Sequence, residues 1–140
     1  KGVDADAADT VTEANLDAMV EFTRRFAEKT GAVIAITGAI DLVSDAKTTY
    51  IIRNGRAEMS KITGTGCQLS GVATAYAVAN PQSKTVAVAA AVCLMGLAGE
   101  IGFAHLQPGE GNSSYRNRII DAIYNMDAAT LEKGARYEVR

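Results

Sequence analysis

The sequence has no tryptophan, one histidine, two cysteines and two prolines. Aromatic residues make up only 6% of it, which excludes the stacking platforms that grip single-stranded nucleic acid. Charge of one sign is also lacking: 14 Lys and Arg stand against 16 Asp and Glu, a net charge of −2. Phosphate-backbone binding needs a concentrated basic surface, so nucleic acid is not an expected partner. Cys67 and Cys93 form no Cys-x-x-Cys pair, and His105 has no second candidate ligand nearby, so no metal-binding spacing is present. No secretory signal opens the chain, which points to a reducing, cytoplasmic compartment. The uncharged apolar run 85–99 stops at Glu100, short of the ~20 residues a membrane span requires. It reads as a buried helix. The opening Lys1-Gly2-Val3-Asp4 brings neither Met nor a leading strand, as expected of a part of something longer.

What is present suits a folded domain, because 48% of the residues are hydrophobic and permit a substantial core. Thr10 and Glu13 have capping-box spacing, predicting a helix that runs to about Lys29 and stops at Gly31. Asp17, Glu21, Arg24 and Glu28 would share its wet face, with Leu16, Met19, Phe22 and Phe26 facing inward. The run 32–37 has no polar alternation, the pattern of a strand covered on both faces in a parallel sheet. Residues 42–44 and 48–53 follow as strands. Asn54-Gly55 is then a strong hairpin signal, predicting an antiparallel return over 56–61. Helices are expected over 67–79, ended by Asn80-Pro81, and over 83–104, whose Ala and Gly content allows close packing. A third, capped by Ser113 or Ser114, would present Ile119, Ile120, Ile123 and Tyr124 inward. The tail from Gly134 is expected to end in a short strand or to fray.

The chemistry concentrates in Thr63-Gly64-Thr65-Gly66-Cys67, placed between an expected strand ending near Ile62 and a helix starting near Cys67. Glycines let the backbone approach a ligand, and free N–H groups at a helix start point at it, which makes an anion site. Two glycines alone more often mean a packing turn. Cys67 has two readings. It is a small buried hydrophobe, or a base accepting a proton from a substrate alcohol. A helix dipole worth ~0.3–1 kcal/mol leaves a thiol of ordinary pKa ~8.5 largely protonated near neutrality. A loose phosphoryl-transfer transition state asks little of such a base.

With that loop in view, the chain resembles the hydroxyethylthiazole kinases of thiamine biosynthesis. The matching blocks are Lys1-Gly2-Val3-Asp4-Ala5, Ala35-Ile36-Thr37-Gly38, Asp41-Leu42-Val43-Ser44-Asp45, Asn54-Gly55 and the stretch from Arg118 to Tyr124. The most specific is Met59-Ser60-Lys61-Ile62-Thr63-Gly64-Thr65-Gly66-Cys67. The resemblance implies a ribokinase-like α/β fold, with a mainly parallel sheet flanked by helices and antiparallel edge strands. Residues 1–140 would be the C-terminal portion of one such kinase domain. It also implies ATP-dependent phosphorylation of the alcohol of 4-methyl-5-(2-hydroxyethyl)thiazole, with Mg2+ accompanying ATP. Cys67 falls where wider relatives carry a catalytic Asp, Thr37 where the family contacts ATP, and Gly64 where it contacts the thiazole. The N–H groups of Gly64, Thr65, Gly66 and Cys67 would form the anion hole. A homotrimer with sites between subunits is implied too.

On the residues alone, Thr37 sits at the C-terminal end of a strand, where open α/β sheets place ligands. A strand-end threonine bonding its own turn explains it equally well. Asp41 and Asp45 read as turn formers rather than metal ligands. Cys93, in an apolar helix, and His105, near a helix end, read as structural. Ala46 departs from the family's glycine, and Pro108-Gly109-Glu110-Gly111 is longer than its compact loop. The family's first half carries further substrate contacts, a phosphate-binding Arg and an Asn-x-x-Glu motif. None of these is found in residues 1–140, so the chain alone is expected to be inactive. Two rival readings stand beside this one: a hydroxymethylpyrimidine or pyridoxal kinase of the same class, and a non-catalytic assembly or binding fragment.

Overall fold

A computed structural model describes residues 10–140. The Lys1–Ala5 block of the resemblance lies outside them. In chain order come α1 (Leu16–Thr30), β1 (Ile34–Ile36), β2 (Asp41–Ser44), β3 (Thr49–Ile52) and a 3-10 turn (Ala57–Lys61). There follow α2 (Thr65–Ala79), α3 (Lys84–Ala104), α4 (Asn112–Tyr124), α5 (Ala128–Gly134) and β4 (Tyr137–Val139).

The α/β class holds, but every strand pair among the described residues is antiparallel, in the order β1-β2-β3-β4. The parallel pairing and two-faced cover expected of 32–37 are not seen among the described residues. β1 pairs antiparallel with β2 and is only partly buried. An apolar run of three residues carries no information about strand direction. The centre of the sheet is β2 and β3, where Leu42, Val43, Ile51 and Ile52 are fully buried. One face packs on α1 through Leu42 and Ile51, which cluster with Val11, Leu16 and Val20. The other packs on α3 through Val43 and Ile52, which meet Ala89, Val92 and Cys93.

The antiparallel return expected over 56–61 is also corrected. Those residues form the 3-10 turn because both edges of β3 are already occupied, by β2 and by the C-terminal β4. Asn54 does not adopt positive φ, so no hairpin turn of the predicted kind exists. Its side chain is drawn inward instead. It donates to Glu100 Oε1 (3.2 Å) and to the Gly134 carbonyl (3.0 Å), and accepts from the Arg136 amide (2.7 Å).

α1 starts later than the capping box predicts. Asn15 Oδ1 accepts from the Thr12 amide at 2.7 Å, while Glu13 pairs with Arg53 at 3.1 Å. The buried face is Leu16, Val20, Thr23 and Ala27; Met19 packs against it partly buried, as expected, whereas Phe22 and Phe26 do not. Thr23 can be buried because its hydroxyl donates to the Met19 carbonyl (2.6 Å). Phe22 and Phe26 stack on each other at the surface. Gly31 ends the helix as predicted.

α3 is the core helix that the run 85–99 predicts. Residues 91–99 are buried without interruption, although by length and composition α3 could also cross a membrane. α4 begins at Asn112, not at a serine cap. It buries Tyr115, Ile119 and Ala122, leaving Ile120 and Tyr124 exposed. The tail does end in a strand, β4.

Candidate functional site

β1 and β3 run the same way on either side of β2, so their C-terminal ends share one end of the sheet. The β1–β2 connection, the segment leaving β3 and the start of α2 meet there around a cleft of about 600 Å³. That volume is in the range of small-molecule sites. Thr37, Gly38 and Asp41 supply one wall, and Asn54, Gly55 and Arg56 a second. Thr65 and Gly66 form the third, while Leu69, Met95 and Gly96 line the apolar floor.

The glycine loop follows the 3-10 turn rather than a strand, because Ile62 ends that turn. Gly64 is the N-cap of α2 with φ +95°, in the left-handed region that favours glycine. The first bond across the cap runs from the Gln68 amide to the Gly64 carbonyl (2.9 Å). The amides of Gly64, Thr65, Gly66 and Cys67 donate to no backbone acceptor among the described residues. A helix leaves these first donors unpaired, and here they open beside the cleft. The Asn112 side chain donates to the Lys61 carbonyl (3.2 Å) and ties the approach to this loop onto α4.

Of the residues singled out by sequence, Thr37, Thr65 and Gly66 lie on the cleft wall together. Gly64 and Cys67 do not line it; Cys67 stands exposed in the first turn of α2, the residue after Gly66. Its expected reading as a small buried hydrophobe is thereby excluded. Cys93 is buried in α3, and burial, with the charge of Asp41 adding to it, pushes its thiol up to about 11. His105 caps α3, but the bond to the Ile101 carbonyl comes from its backbone amide. Asp45 is the turn former expected: its carboxylate accepts from the Lys47 and Thr48 amides, both at 2.8 Å, and from the Thr85 hydroxyl at 2.7 Å. Burial raises its pKa, yet these bonds and the Lys47 charge hold it below the usual value.

Two features of the site escaped sequence reasoning. Glu100 reads in sequence only as the end of an apolar run. In the fold it accepts from the Gly55 amide (2.7 Å) and Asn54, and pairs with Arg136 (2.7 Å). Arg136 also donates to the Arg53 carbonyl (2.9 Å). A lone carboxylate on an otherwise apolar helix was the available signal. The second is Arg56, whose guanidinium lies 4.0 Å from the Phe103 ring centroid and pairs with Glu58, a contact between distant segments with no sequence signature.

The hydroxyethylthiazole kinase family matches residues 1–129. A Clostridium acetobutylicum hydroxyethylthiazole kinase is 51% identical over 138 residues, covering 99% of this chain and 50% of that protein. Hydroxyethylthiazole kinase 2 of Clostridium botulinum strain Langeland is 38% identical over 136 residues, covering 97% and 49%. The structure of a hydroxyethylthiazole kinase protein from Pyrococcus horikoshii superposes with TM-score 0.77 at 24% identity, covering 91% of this chain and 48% of that one; the likeness is one of fold. The chain thus spans about half the length of the curated relatives it matches. A family match that runs over residues 1–129 places this chain in the hydroxyethylthiazole kinase family.

Proposed function

We propose that residues 1–140 are the C-terminal portion of a ribokinase-like kinase domain. Its complete protein would transfer the γ-phosphoryl group of ATP to the hydroxyl of 4-methyl-5-(2-hydroxyethyl)thiazole. The observation that carries this reading is the set of unpaired amides at the start of α2, opening beside the cleft that Thr37 also lines. In the transfer, the substrate alcohol oxygen bonds to the γ-phosphorus as the bond to the bridging oxygen of ADP breaks. The alcohol proton passes to Cys67 in its thiolate form, a minor fraction near neutrality, and the resulting thiol returns it to solvent. Amides of Gly64, Thr65, Gly66 and Cys67 take up charge developing on the phosphoryl oxygens, and one such donor is worth ~3–4 kcal/mol at the transition state. Thr37 contacts ATP and Gly64 the thiazole.

Among the described residues there is no group of three candidate metal ligands. Mg2+ is proposed only as the ion that accompanies ATP. The family resemblance supports a cytoplasmic homotrimer with sites between subunits.

The test is turnover of the complete protein with ATP and each of three alcohols: the thiazole, hydroxymethylpyrimidine and pyridoxal. A higher kcat/KM for either of the latter two overturns the substrate assignment. Cys67→Ala is expected to lower kcat ~100-fold or more at an unchanged melting temperature. Unchanged turnover in that variant would remove Cys67 from the chemistry, and no ADP formation with any alcohol would favour a non-catalytic role.

A further inference from the structure

Thr37 belongs to a connection of four residues, 37–40, between β1 and β2, and residues 37–39 are exposed. Short exposed connections move unless something holds them. Ile40 anchors the far end of this one in the core, and its exposed part is held by a side chain: the Gly38 amide donates to Asp41 Oδ1 at 2.8 Å. Asp41 is itself well anchored. It opens β2, opposite Ile52 of β3, and precedes Leu42 and Val43, both at 0% exposure. Its carboxylate therefore carries the rigidity of the sheet centre out to the cleft wall.

We propose that Asp41 is a positioning residue for the nucleotide: by fixing the Gly38 amide it holds Thr37 where ATP is bound. The proposal rests on the kinase reading above. Asp41, Gly38 and Thr37 all line the cleft, so the link from carboxylate to threonine runs along one wall. Burial pushes the Asp41 carboxyl up to about 6, against the pull of the Gly38 amide. The fold thus tolerates a carboxylate that burial disfavours on the wall of the cleft, a pattern typical of functional sites.

Kinetics of the complete protein test this. Asp41→Ala removes the acceptor and is expected to raise KM for ATP about tenfold, the equivalent of one hydrogen bond near 1.4 kcal/mol. KM for the alcohol should change less than about threefold, and so should kcat, because the lost contact serves ground-state binding. Asp41→Asn keeps an acceptor at the same place and should restore KM for ATP to within about threefold of the starting value. An unchanged KM for ATP in Asp41→Ala overturns the proposal. So does an equal loss in Asp41→Asn, or a parallel rise in KM for the alcohol. Should the alanine variant not fold, Asp41→Glu displaces the carboxylate by one methylene. A raised KM for ATP then supports the proposal and an unchanged one refutes it. Thr37→Ala separates the two levels. If it leaves KM for ATP unaltered, the nucleotide reading of Thr37 fails; if it raises KM for ATP while Asp41→Ala does not, only the role of Asp41 fails.

Discussion

Adding one methyl group at Gly96 should destabilise the protein although it improves the helix. Glycine inside a helix costs roughly 1 kcal/mol relative to alanine, so on propensity alone Gly96→Ala would stabilise α3. The fold opposes this, because a Cβ at Gly96 would stand 2.7 Å from the Asn54 carbonyl carbon and 2.8 Å from its oxygen. These are backbone atoms, and they are held by the bonds of Asn54 and Gly55 to Glu100, Gly134 and Arg136. Overpacking against a fixed neighbour costs about 1–3 kcal/mol, more when backbone must shift. The net expectation is a loss of about 2 kcal/mol after the propensity gain, or roughly 1 M in the urea midpoint at an ordinary slope. Urea unfolding of the complete protein, followed by circular dichroism, measures it. Gly99→Ala is the internal comparison, since the atoms nearest its Cβ all belong to the Met59 side chain, which can swing away. Its cost should be smaller. A Gly96→Ala variant as stable as the parent, or costlier at Gly99 than at Gly96, would refute the claim that α3 is glycine-rich in order to approach β3.

Glu100→Ala should cost about 2 kcal/mol in the same urea assay, because three donors lose one charged acceptor that is only partly shielded from water; Arg136→Ala added to it should cost much less than it does alone. Burial raises the Glu100 pKa, but its bonds to Arg136, Gly55 and Asn54 hold it below the ordinary value. Its contribution is therefore present above the unfolded pKa and lost as pH falls through the folded one, so Glu100→Gln should flatten the acid limb of stability against pH. Asp41 has the opposite sign. Its carboxyl is pushed from 3.8 up to about 6, so stability falls as pH rises from about 4 to 6, by at most ~3 kcal/mol, and Asp41→Asn should abolish that fall in pH-dependent thermal melts. Cys93→Ala should lower the melting temperature while leaving kcat unchanged, the reverse of Cys67→Ala.

How much of this was legible in the sequence depended on how local the determining forces are. The existence of α1 to α4 was legible, since periodicity and stop signals at Gly31 and Asn80-Pro81 act within a turn or two, whereas the short α5 was not expected. The glycine loop ahead of α2 was legible because glycine at 64 admits the left-handed φ that its N-cap position uses, whatever lies elsewhere. Strand direction was not, because β1 is three residues long and its partner is chosen by the tertiary fold. The inward face of α1 was misjudged for a related reason. Phe22 and Phe26 satisfy each other at the surface, whereas Thr23 is buried by a bond to its own helix, so residue type misreported burial.

Asn54-Gly55 is where the local signal was strongest and the outcome most different, and the difference is what builds the cleft. A hairpin there would have extended the sheet with 56–61 and left α2 starting far from β1. β4, the last strand of the described chain, takes that edge of β3 instead, and Arg136 just before it fastens Asn54 and Glu100 together. The displaced segment must then leave the sheet plane, and it does so as a 3-10 turn that delivers the glycine loop to the end of the sheet where β1 stops. Thr37 and Gly66 thus share a cavity in a fold where residues more than 60 positions further along the chain hold that strand edge. Disrupting β4 should consequently loosen the cleft without touching any residue that lines it.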